Sequence, residues 1–467
     1  MRPTQWRPST HLIVGIGVIA IIAAVLGATA LMTASGRGAG GVQTTPPPAP
    51  VTAKPGIVPV AASAPAPTTS ALAATLAVSA ADPNLGKLGG RVTDAMTAKE
   101  LWQQQDNVPL LPASTNKTLT TAAALLALDR EARVTTRVVA AEQPGASEVS
   151  GVIVLVGGGD PTLSAAPRGQ DTWYHGAARI SDLADQVRRS GVTPTAVQVD
   201  TSLFSGPTMA PGWDPADIEG GDIAPIQSVM LDAGRIQPAT DESRRSLTPA
   251  LDAGRALAAA LGVDPQRVTI AGHPAPTGAR QLAAIQSAPL IQRLYEMMNV
   301  SDNVMAECIA REVAAAMHRP LSFTGAVDAV TNRLNTAGID TSGAVLQDSS
   351  GLSVFDRLTA KDLDGVVQAA AGPDQPALRA LLDLLPVAGG SGTLSDRFPD
   401  ATPGIGPAGW LRAKTGSLTA INALAGVVTD RSGRVLTFAF ISNDAGPTGR
   451  TAIDALATAL WSCGCVT

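Results

Sequence analysis

The stretch Pro112-Ala113-Ser114-Thr115-Asn116-Lys117 decides how the rest of the chain is interpreted. Lys117 follows Ser114 by three positions at the start of an apolar helical stretch, so one helical turn places a hydroxyl beside an amine. The chain has only six lysines among its 34 basic residues, and no other lysine has a serine three positions before it. Because an amine can be tuned to lose its proton and a guanidinium cannot, we predict that Lys117 is the base for a Ser114 nucleophile.

Two further short motifs follow in chain order. Ser301-Asp302-Asn303 lies within a helical pattern over Pro289 to Met317, and Lys414-Thr415-Gly416 enters an apolar strand. Taken singly, each is better explained as a helix cap or a strand-edge turn, and Ser114-Thr115-Asn116 would also satisfy Ser-x-Asn. Their order and context together predict a serine active site.

Composition excludes several classes of protein. The 467 residues are 45% apolar, which fits a globular protein with more than one domain. The formal net charge is -5 and no long basic stripe occurs, so we expect no nucleic-acid binding. None of the four histidines lies in a nucleophile motif, and a Gly-x-Ser-x-Gly elbow is absent. A Ser-His-Asp triad is therefore not expected, and a lysine-activated serine does not need one.

The N-terminus predicts an export or anchoring segment. Residues 12–32 carry no charge and follow two arginines, which is long enough to cross a bilayer with the N-terminus inside. We predict a cytoplasmic tip and membrane anchor over 1–34. A cleaved signal peptide, with Ala28-Thr29-Ala30 at the cut, is the alternative, although such apolar cores usually run about 7 to 15 residues. Residues 35–69 hold eight prolines and are predicted to be an extended Pro/Ala-rich linker.

The three cysteines are too few for a disulfide scaffold. Cys463 and Cys465 form a Cys-x-Cys pair without a histidine cluster, which is a poor metal site. In an oxidising compartment we expect one of this pair to bond to Cys308, and the sequence leaves open which one.

Lys117 and Ser301 are 184 positions apart, which is too far for a loop, and the residues between them mix strand and helix patterns. We predict an inserted domain or domains at 146–284, and a catalytic domain formed by 70–145 and 285–467. Helices flanking an antiparallel sheet, interrupted by a mixed α/β insertion, give an α/β (α+β) fold.

Some local elements can also be predicted. Ser70 to Ala81 has the composition of a short helix, and strand patterns cover Trp410 to Val428 and Val435 to Ile441. Glu307 and Arg311 are four residues apart and are interpreted as an ion pair on a helix surface.

With these motifs placed, the chain resembles a class C penicillin-binding protein of the D-alanyl-D-alanine carboxypeptidase/endopeptidase family over roughly residues 70–465. The S-x-x-K, S-D-N and K-T-G set is typical of penicillin-binding proteins and serine β-lactamases. Further segments resemble family segments: Leu155 to Leu163, Asp200 to Phe204, Asp348 to Ser353 and Leu385 to Leu394. The long insertion distinguishes the family from serine β-lactamases, which lack it. The implied fold is a serine β-lactamase/transpeptidase-like domain with a large insertion between the first two motifs.

The resemblance implies the role of each catalytic residue. Ser114 would attack the D-Ala-D-Ala peptide carbonyl while Lys117 takes its proton. Ser301 would relay a proton to the leaving D-alanine amine. A β-lactam would acylate the same serine.

The resemblance also implies the substrate-binding residues, which are Asn303, Lys414, Thr415, Gly416 and Ser417. Asn303 would hold the substrate's amide, and Lys414 with Thr415 would bind its terminal carboxylate. The backbone N–H of Ser417 would complete an oxyanion hole with that of the nucleophile.

The expected partners are peptidoglycan stem peptides, β-lactams as inhibitors, and the membrane through the N-terminal segment. No metal and no organic cofactor is implied. The expected location is the cell envelope outside the cytoplasm, anchored by residues 12–32, or secreted or periplasmic if that segment is cleaved. A β-lactamase and a non-catalytic peptidoglycan-binding protein are the alternatives, and whether the enzyme also cuts cross-links as an endopeptidase is left open.

Overall fold

The structure is a computed structural model that describes residues 63–142, 151–238, 240, 243–398 and 406–464. The predicted anchor at 12–32, nearly all of the predicted linker and Cys465 lie outside these residues. Within the described ranges, no helix has the length and apolar character needed to cross a membrane.

The secondary-structure elements of the described residues, in chain order, are as follows. The strands are β1 (Lys87–Asp94), β2 (Glu100–Gln104), β3 (Thr135–Ala140), β4 (Val152–Val156), β5 (Ala196–Asp200), β6 (Val268–Ile270), β7 (Gln281–Gln286), β8 (Leu411–Leu418), β9 (Ile421–Thr429) and β10 (Val435–Asn443). The helices are α1 (Thr69–Ala80), α2 (Lys117–Ala127), α3 (Ile180–Arg189), α4 (Ala216–Gly220), α5 (Pro249–Leu261), α6 (Leu290–Val300), α7 (Asn303–Ala316), α8 (Phe323–Thr336), α9 (Ala360–Ala371), α10 (Ala380–Leu384) and α11 (Gly449–Ser462).

The first sheet is antiparallel and has the strand order β2-β1-β10-β9-β8. Pairing of β1 with β10 brings the two ends of the described chain into one sheet. The pattern predicted as one strand over Trp410 to Val428 is a hairpin, because Leu418 pairs with Ile421 across a two-residue turn. Ala420 in that turn has φ +57°, a left-handed conformation that ends the strand.

Both faces of the first sheet are covered by helices, as the predicted fold requires. Side chains alternate along β10, so Phe438 and Phe440 pack with α1 and α11, whereas Ala439 and Ile441 join the core formed with α2, α7 and α9. The predicted helix at 70–81 is confirmed as α1. The segment before α1 is held against the turn between β9 and β10, since the carbonyls of Ala64 and Pro65 accept hydrogen bonds from Arg434 and Ser432.

The second sheet is mixed and has the order β6-β5-β4-β3-β7. Strands β4, β5 and β6 are parallel, and β3 is antiparallel to both β4 and β7. Helices α3 and α5 cover one face through a separate apolar core that includes Val138, Leu155 and Val199. Strand β3 belongs to this sheet although it precedes residue 146, so the sheet begins earlier than the predicted insertion. The division into domains stays a prediction.

The helical pattern over Pro289 to Met317 is interrupted at the second motif. Ser301 takes φ +60°, which ends α6, and the Asp302 side chain accepts the backbone N–H of Met305 at 2.9 Å, which starts α7. An aspartate before an apolar helix is a known N-cap signal. The break places Ser301 at a half-buried bend between the two helices.

Two predictions about buried side chains are wrong. Glu307 and Arg311 do form an ion pair, at 3.3 Å, but both lie inside the core at 0% and 1% side-chain exposure, and not on a helix surface. Cys308 is a free, buried thiol, whereas Cys463 is disulfide-bonded, so Cys308 is not its partner. The reason is geometric: Cys308 lies on α7, on the opposite face of the first sheet from Cys463 at the end of α11.

Candidate active site

Lys117 is the centre of the first group of polar side chains. Its Nζ donates to Ser114 Oγ at 2.9 Å, to Asn303 Oδ1 at 2.6 Å and to the backbone oxygen of Ser350 at 2.8 Å. The lysine is fully buried, while Ser114 is half-buried at the mouth of the site. An ammonium has three donors, and all three are used. A neutral amine in the same place would turn its lone pair toward one of these partners, and the Ser114 hydroxyl is the partner that can become a donor.

Burial lowers the pKa of Lys117 to about 8. The carboxylates of Asp348, Asp302 and Glu307 oppose this change, because they stabilise the ammonium. Glu307 is itself buried, and burial raises its pKa to about 7. The lysine is therefore poised to accept and release a proton near neutral pH, which a general base requires.

Lys414 is the centre of the second group. Its Nζ donates to Ser301 Oγ at 2.9 Å and to the carbonyl oxygen of Thr415 at 2.9 Å, and it too is fully buried. Burial lowers the pKa of Lys414 well below its ordinary value, and the positive charges of Lys117 and Arg397 lower it further. Within the described residues, no carboxylate raises it. The charges of Lys117 and Arg397 therefore make the surroundings of Lys414 electropositive, with no anion near it in that part of the chain.

Close backbone packing fixes the turn that carries Ser114, the predicted nucleophile. Ser114 lies in a 3₁₀ turn, Ala113–Asn116, directly before α2. A Cβ on Gly351 would lie 1.9 Å from the carbonyl oxygen of Ala113, and a Cβ on Gly416 would lie 2.6 Å from that of Pro112. Both positions therefore require glycine, and through them the 348–353 loop and β8 close on the nucleophile turn.

The 348–353 loop is the part of the site to which the sequence assigned no role. Asp348 accepts hydrogen bonds from the backbone N–H groups of Ser350, Gly351 and Ser353 and from Trp213 Nε1, at 2.6 to 3.0 Å. These bonds fix the loop so that the Ser350 carbonyl faces Lys117. Aspartate followed by Ser-Ser-Gly is an Asx-turn signature, so the turn was predictable, but its lysine partner was not.

The region between the first two motifs also reaches the site. Tyr174 Oη donates to Asp302 Oδ2 at 2.5 Å and accepts from Arg235 Nη1 at 2.7 Å. Asn303 Nδ2 donates to the backbone oxygen of Asp222 at 3.0 Å. These contacts join the second motif to the region between the first two motifs, and the spacing along the chain gave no sign of them.

The structure therefore brings the predicted site residues together in two linked groups. Ser114, Lys117 and Asn303 form one, and Ser301, Lys414 and Thr415 form the other. The hydroxyl of Thr415 is hydrogen-bonded to that of Thr393 at 2.8 Å. The two remaining predicted residues follow on β8: Gly416 is buried against the nucleophile turn, and Ser417 is exposed and paired with Asn422. Within the described residues, no group of three His, Cys, Asp or Glu side chains is arranged to hold a metal ion.

Comparison with known proteins finds relatives of the same length. The chain is 70% identical over 467 residues to carboxypeptidase Rv3627c of Mycobacterium tuberculosis and 66% identical over 470 residues to carboxypeptidase DacB of Mycolicibacterium smegmatis, with all of each chain covered. Among solved structures, penicillin binding protein 4 (dacB) from Haemophilus influenzae superposes with a TM-score of 0.67 at 23% identity, over 84% of this chain and 98% of that one. That likeness shows the fold, and it agrees with the predicted penicillin-binding domain.

Family comparison gives the same result. Residues 1–59 match the Carboxypeptidase Rv3627c-like, N-terminal domain. Residues 72–245 and 239–460 match the D-Ala-D-Ala carboxypeptidase 3 (S13) family. The chain therefore belongs to the D-Ala-D-Ala carboxypeptidase 3 (S13) family, as the resemblance of its three motifs predicts.

Proposed function

We propose that this serine D-Ala-D-Ala carboxypeptidase works through an acyl-enzyme at Ser114, with Lys117 as the general base. The observation that carries the proposal is the 2.9 Å hydrogen bond between Lys117 Nζ and Ser114 Oγ, made by a fully buried lysine whose pKa is lowered to about 8. A surface lysine would keep its proton near neutral pH and could not activate a hydroxyl.

The reaction then proceeds by two acyl transfers. Ser114 Oγ attacks the peptide carbonyl of the terminal D-Ala-D-Ala bond as its proton passes to Lys117. Collapse of the tetrahedral intermediate breaks the C–N bond, and Ser301 relays the proton held by Lys117 to the departing D-alanine amine. Water then attacks the ester as Lys117 takes one of its protons, and Lys117 returns that proton to Ser114 Oγ as the C–O bond breaks and the shortened peptide leaves. A β-lactam follows the first half of this sequence, and its opened ring remains bound to the serine.

The second group of residues recognises the end of the substrate. A peptide ending in D-alanine carries a terminal carboxylate, and Lys414 lies in a buried, electropositive place that lacks an anion. An arriving carboxylate favours the charged form of Lys414 and forms a charge-assisted hydrogen bond with it. Thr415 adds a hydroxyl on the same strand, and Asn303, which contacts Lys117 through Oδ1, would hold the substrate's amide.

Incubation with labelled benzylpenicillin tests this function against both alternatives. A carboxypeptidase of this type retains the label for many minutes, because the opened ring blocks attack by water. A β-lactamase releases it rapidly, and a non-catalytic binding protein never acquires it. Turnover of a defined pair of muropeptides, one linear and one cross-linked, then separates carboxypeptidase from endopeptidase activity.

The enzyme acts in the cell envelope, where peptidoglycan is found. We propose in addition that residues 12–32 anchor it in the cytoplasmic membrane, because this stretch carries no charge and is long enough to span the bilayer. Cell fractionation of the full chain tests this directly. A protein that is recovered from the soluble fraction with residues 1–30 removed would establish cleavage instead.

A further inference from the structure

The second sheet contains a cavity of about 830 Å³ that shares no lining residue with the active-site groups. Its floor is β3, where Thr135, Arg137 and Val139 point to the same side, and its walls include Asp200 and the Pro274–Ala279 segment. The volume lies in the range of cavities that enclose small organic ligands. The mechanism proposed above does not use it.

The cavity lies at the carboxyl ends of parallel strands, where α/β proteins commonly bind ligands. Its walls are formed just beyond the carboxyl ends of the parallel strands β4 and β5, and by the segment that follows β6. Helices α3 and α5 cover only the opposite face, through side chains such as Val138 and Val199. Loops beyond the carboxyl ends of parallel strands create crevices that are suited to ligands.

Arg137 is a charged side chain on an inner strand, and no contact within the described fold accounts for its position. It lies on an inner strand, in register with Val156 on β4 and Ala284 on β7, yet its side chain is exposed to the cavity. It makes no side-chain hydrogen bond or ion pair within the described part of the chain. The nearby Asp200 is already committed, because its two oxygens accept the backbone N–H groups of Ser202 and Ala275 at 2.8 and 2.7 Å.

Packing explains the glycines at the rim, and they need no ligand. A Cβ on Gly158 would lie 2.1 Å from the carbonyl oxygen of Thr135, and one on Gly157 would lie 2.5 Å from Ser228 Oγ. What the cavity offers a ligand is therefore one unpaired guanidinium, hydroxyls such as that of Thr135, and apolar walls such as Leu203. A ligand with one carboxylate and a mixture of hydroxyl and apolar groups matches this lining.

We propose that this crevice is a second binding site for peptidoglycan, which holds a carboxylate-bearing glycopeptide strand through Arg137 while another part of the polymer reaches Ser114. The choice of polymer rests on the D-Ala-D-Ala carboxypeptidase function. A second site raises the effective concentration of the polymer at the catalytic serine without changing the chemistry there. Its effect is therefore confined to polymeric substrate.

Binding of a fragment that is not a substrate tests the site. The probe is a soluble disaccharide tripeptide without D-Ala-D-Ala, titrated into the full chain after benzylpenicillin has blocked the serine. We expect Arg137→Ala and Arg137→Gln to weaken binding roughly tenfold to a hundredfold, as loss of a charge-assisted hydrogen bond does. Arg267→Ala, an exposed arginine beside β6 and outside the cavity, is the matched control and should bind as wild type does. Equal affinity in all variants, or no binding to wild type, overturns the proposal.

Turnover separates this site from the catalytic one. Both Arg137 variants should release D-alanine from isolated, intact peptidoglycan more slowly than wild type, and from a short soluble peptide at the same rate. Equal rates on both substrates would contradict the second site and leave the function of Ser114 unaffected. If the wild-type protein acquires no penicillin label, the acyl-enzyme proposal is contradicted, whatever the outcome of the binding experiment.

Discussion

The two sides of the active site are built around lysines that are equally buried but differently surrounded. On the α2 side, Lys117 has the carboxylates of Asp348, Asp302 and Glu307 near it, and its pKa falls only to about 8. On the β8 side, no carboxylate of the described residues stabilises the charged form of Lys414, and the charge of Lys117 lowers its pKa further. Burial alone therefore does not decide the protonation state of a lysine, and the neighbouring charges fit the different tasks that we propose for the two.

The difference indicates a division of work. The lysine surrounded by acids can exchange a proton with Ser114 near neutral pH, as a base must. A substrate carboxylate that binds beside Lys414 stabilises the protonated, charged form of this lysine.

The largest effect is expected on the α2 side. Ser114→Ala should abolish covalent labelling by penicillin, and Lys117→Ala should reduce acylation by several orders of magnitude, because nothing else takes the serine proton. Lys117→Arg should not restore activity, since a guanidinium keeps its proton at any working pH. Mass spectrometry of the adduct measures all three variants. An active arginine variant would show that position 117 needs only a fixed charge.

Loss of Lys414 should be smaller and should depend on the substrate. For a peptide with a free terminal carboxylate, Lys414→Ala should cost about 2 to 5 kcal/mol in kcat/KM, roughly thirty-fold to several thousand-fold. A peptide whose terminus is amidated never makes the contact and should lose much less. The four rate constants form a double-mutant cycle. Equal losses on both substrates would mean that Lys414 acts only through the proton state of Lys117.

The smallest effect is expected at the contact between the second motif and the region before it. Tyr174→Phe removes the hydroxyl that donates to Asp302 at 2.5 Å and accepts from Arg235, and should lower the free energy of unfolding by about 1.5 to 3 kcal/mol. Because Asp302 caps α7 next to Ser301, we also expect a several-fold lower kcat with little change in KM. Urea unfolding and steady-state kinetics measure the two effects.

Tyr295→Phe is the matched control, since Tyr295 is the other tyrosine of the chain and is 46% exposed. It should behave as wild type in both measurements. If the two variants are indistinguishable, the buried hydroxyl of Tyr174 contributes neither to stability nor to the geometry of the second motif.

The sequence was sufficient to predict which residues the fold brings together at the candidate site, because Ser114 and Lys117 are one helical turn apart and the other two motifs have a fixed order. It also predicted the antiparallel sheet and its insertion. Local patterns could not predict what these residues would meet in the folded chain. The Ser350 carbonyl reaches Lys117 from 233 positions away, and no periodicity records such a contact.

The sequence patterns also failed to predict which side chains are buried. Glu307 and Arg311 have the spacing of a surface ion pair, but α7 lies between other helices and is covered on nearly every side. A four-residue spacing predicts contact and does not predict exposure. The same helix encloses Cys308, which prevents the predicted disulfide.

The most direct test of the proposed roles of Lys117 and Lys414 is the pH dependence of kcat/KM for two N-acylated peptides. The two peptides differ only in whether the terminal carboxylate is free or amidated. Burial lowers the pKa of Lys117 to about 8 and that of Lys414 well below its ordinary value, and the charge of Lys117 lowers the pKa of Lys414 further, so the two protons are coupled. The amidated peptide needs only a neutral Lys117, so its kcat/KM should rise as pH rises through about 8 and then stay level. The free carboxylate also needs a proton on Lys414, so kcat/KM for that peptide should fall at high pH, and the ratio of the free to the amidated value should decrease as pH rises. If this ratio does not change with pH, the two lysines do not divide the work of base and carboxylate receptor.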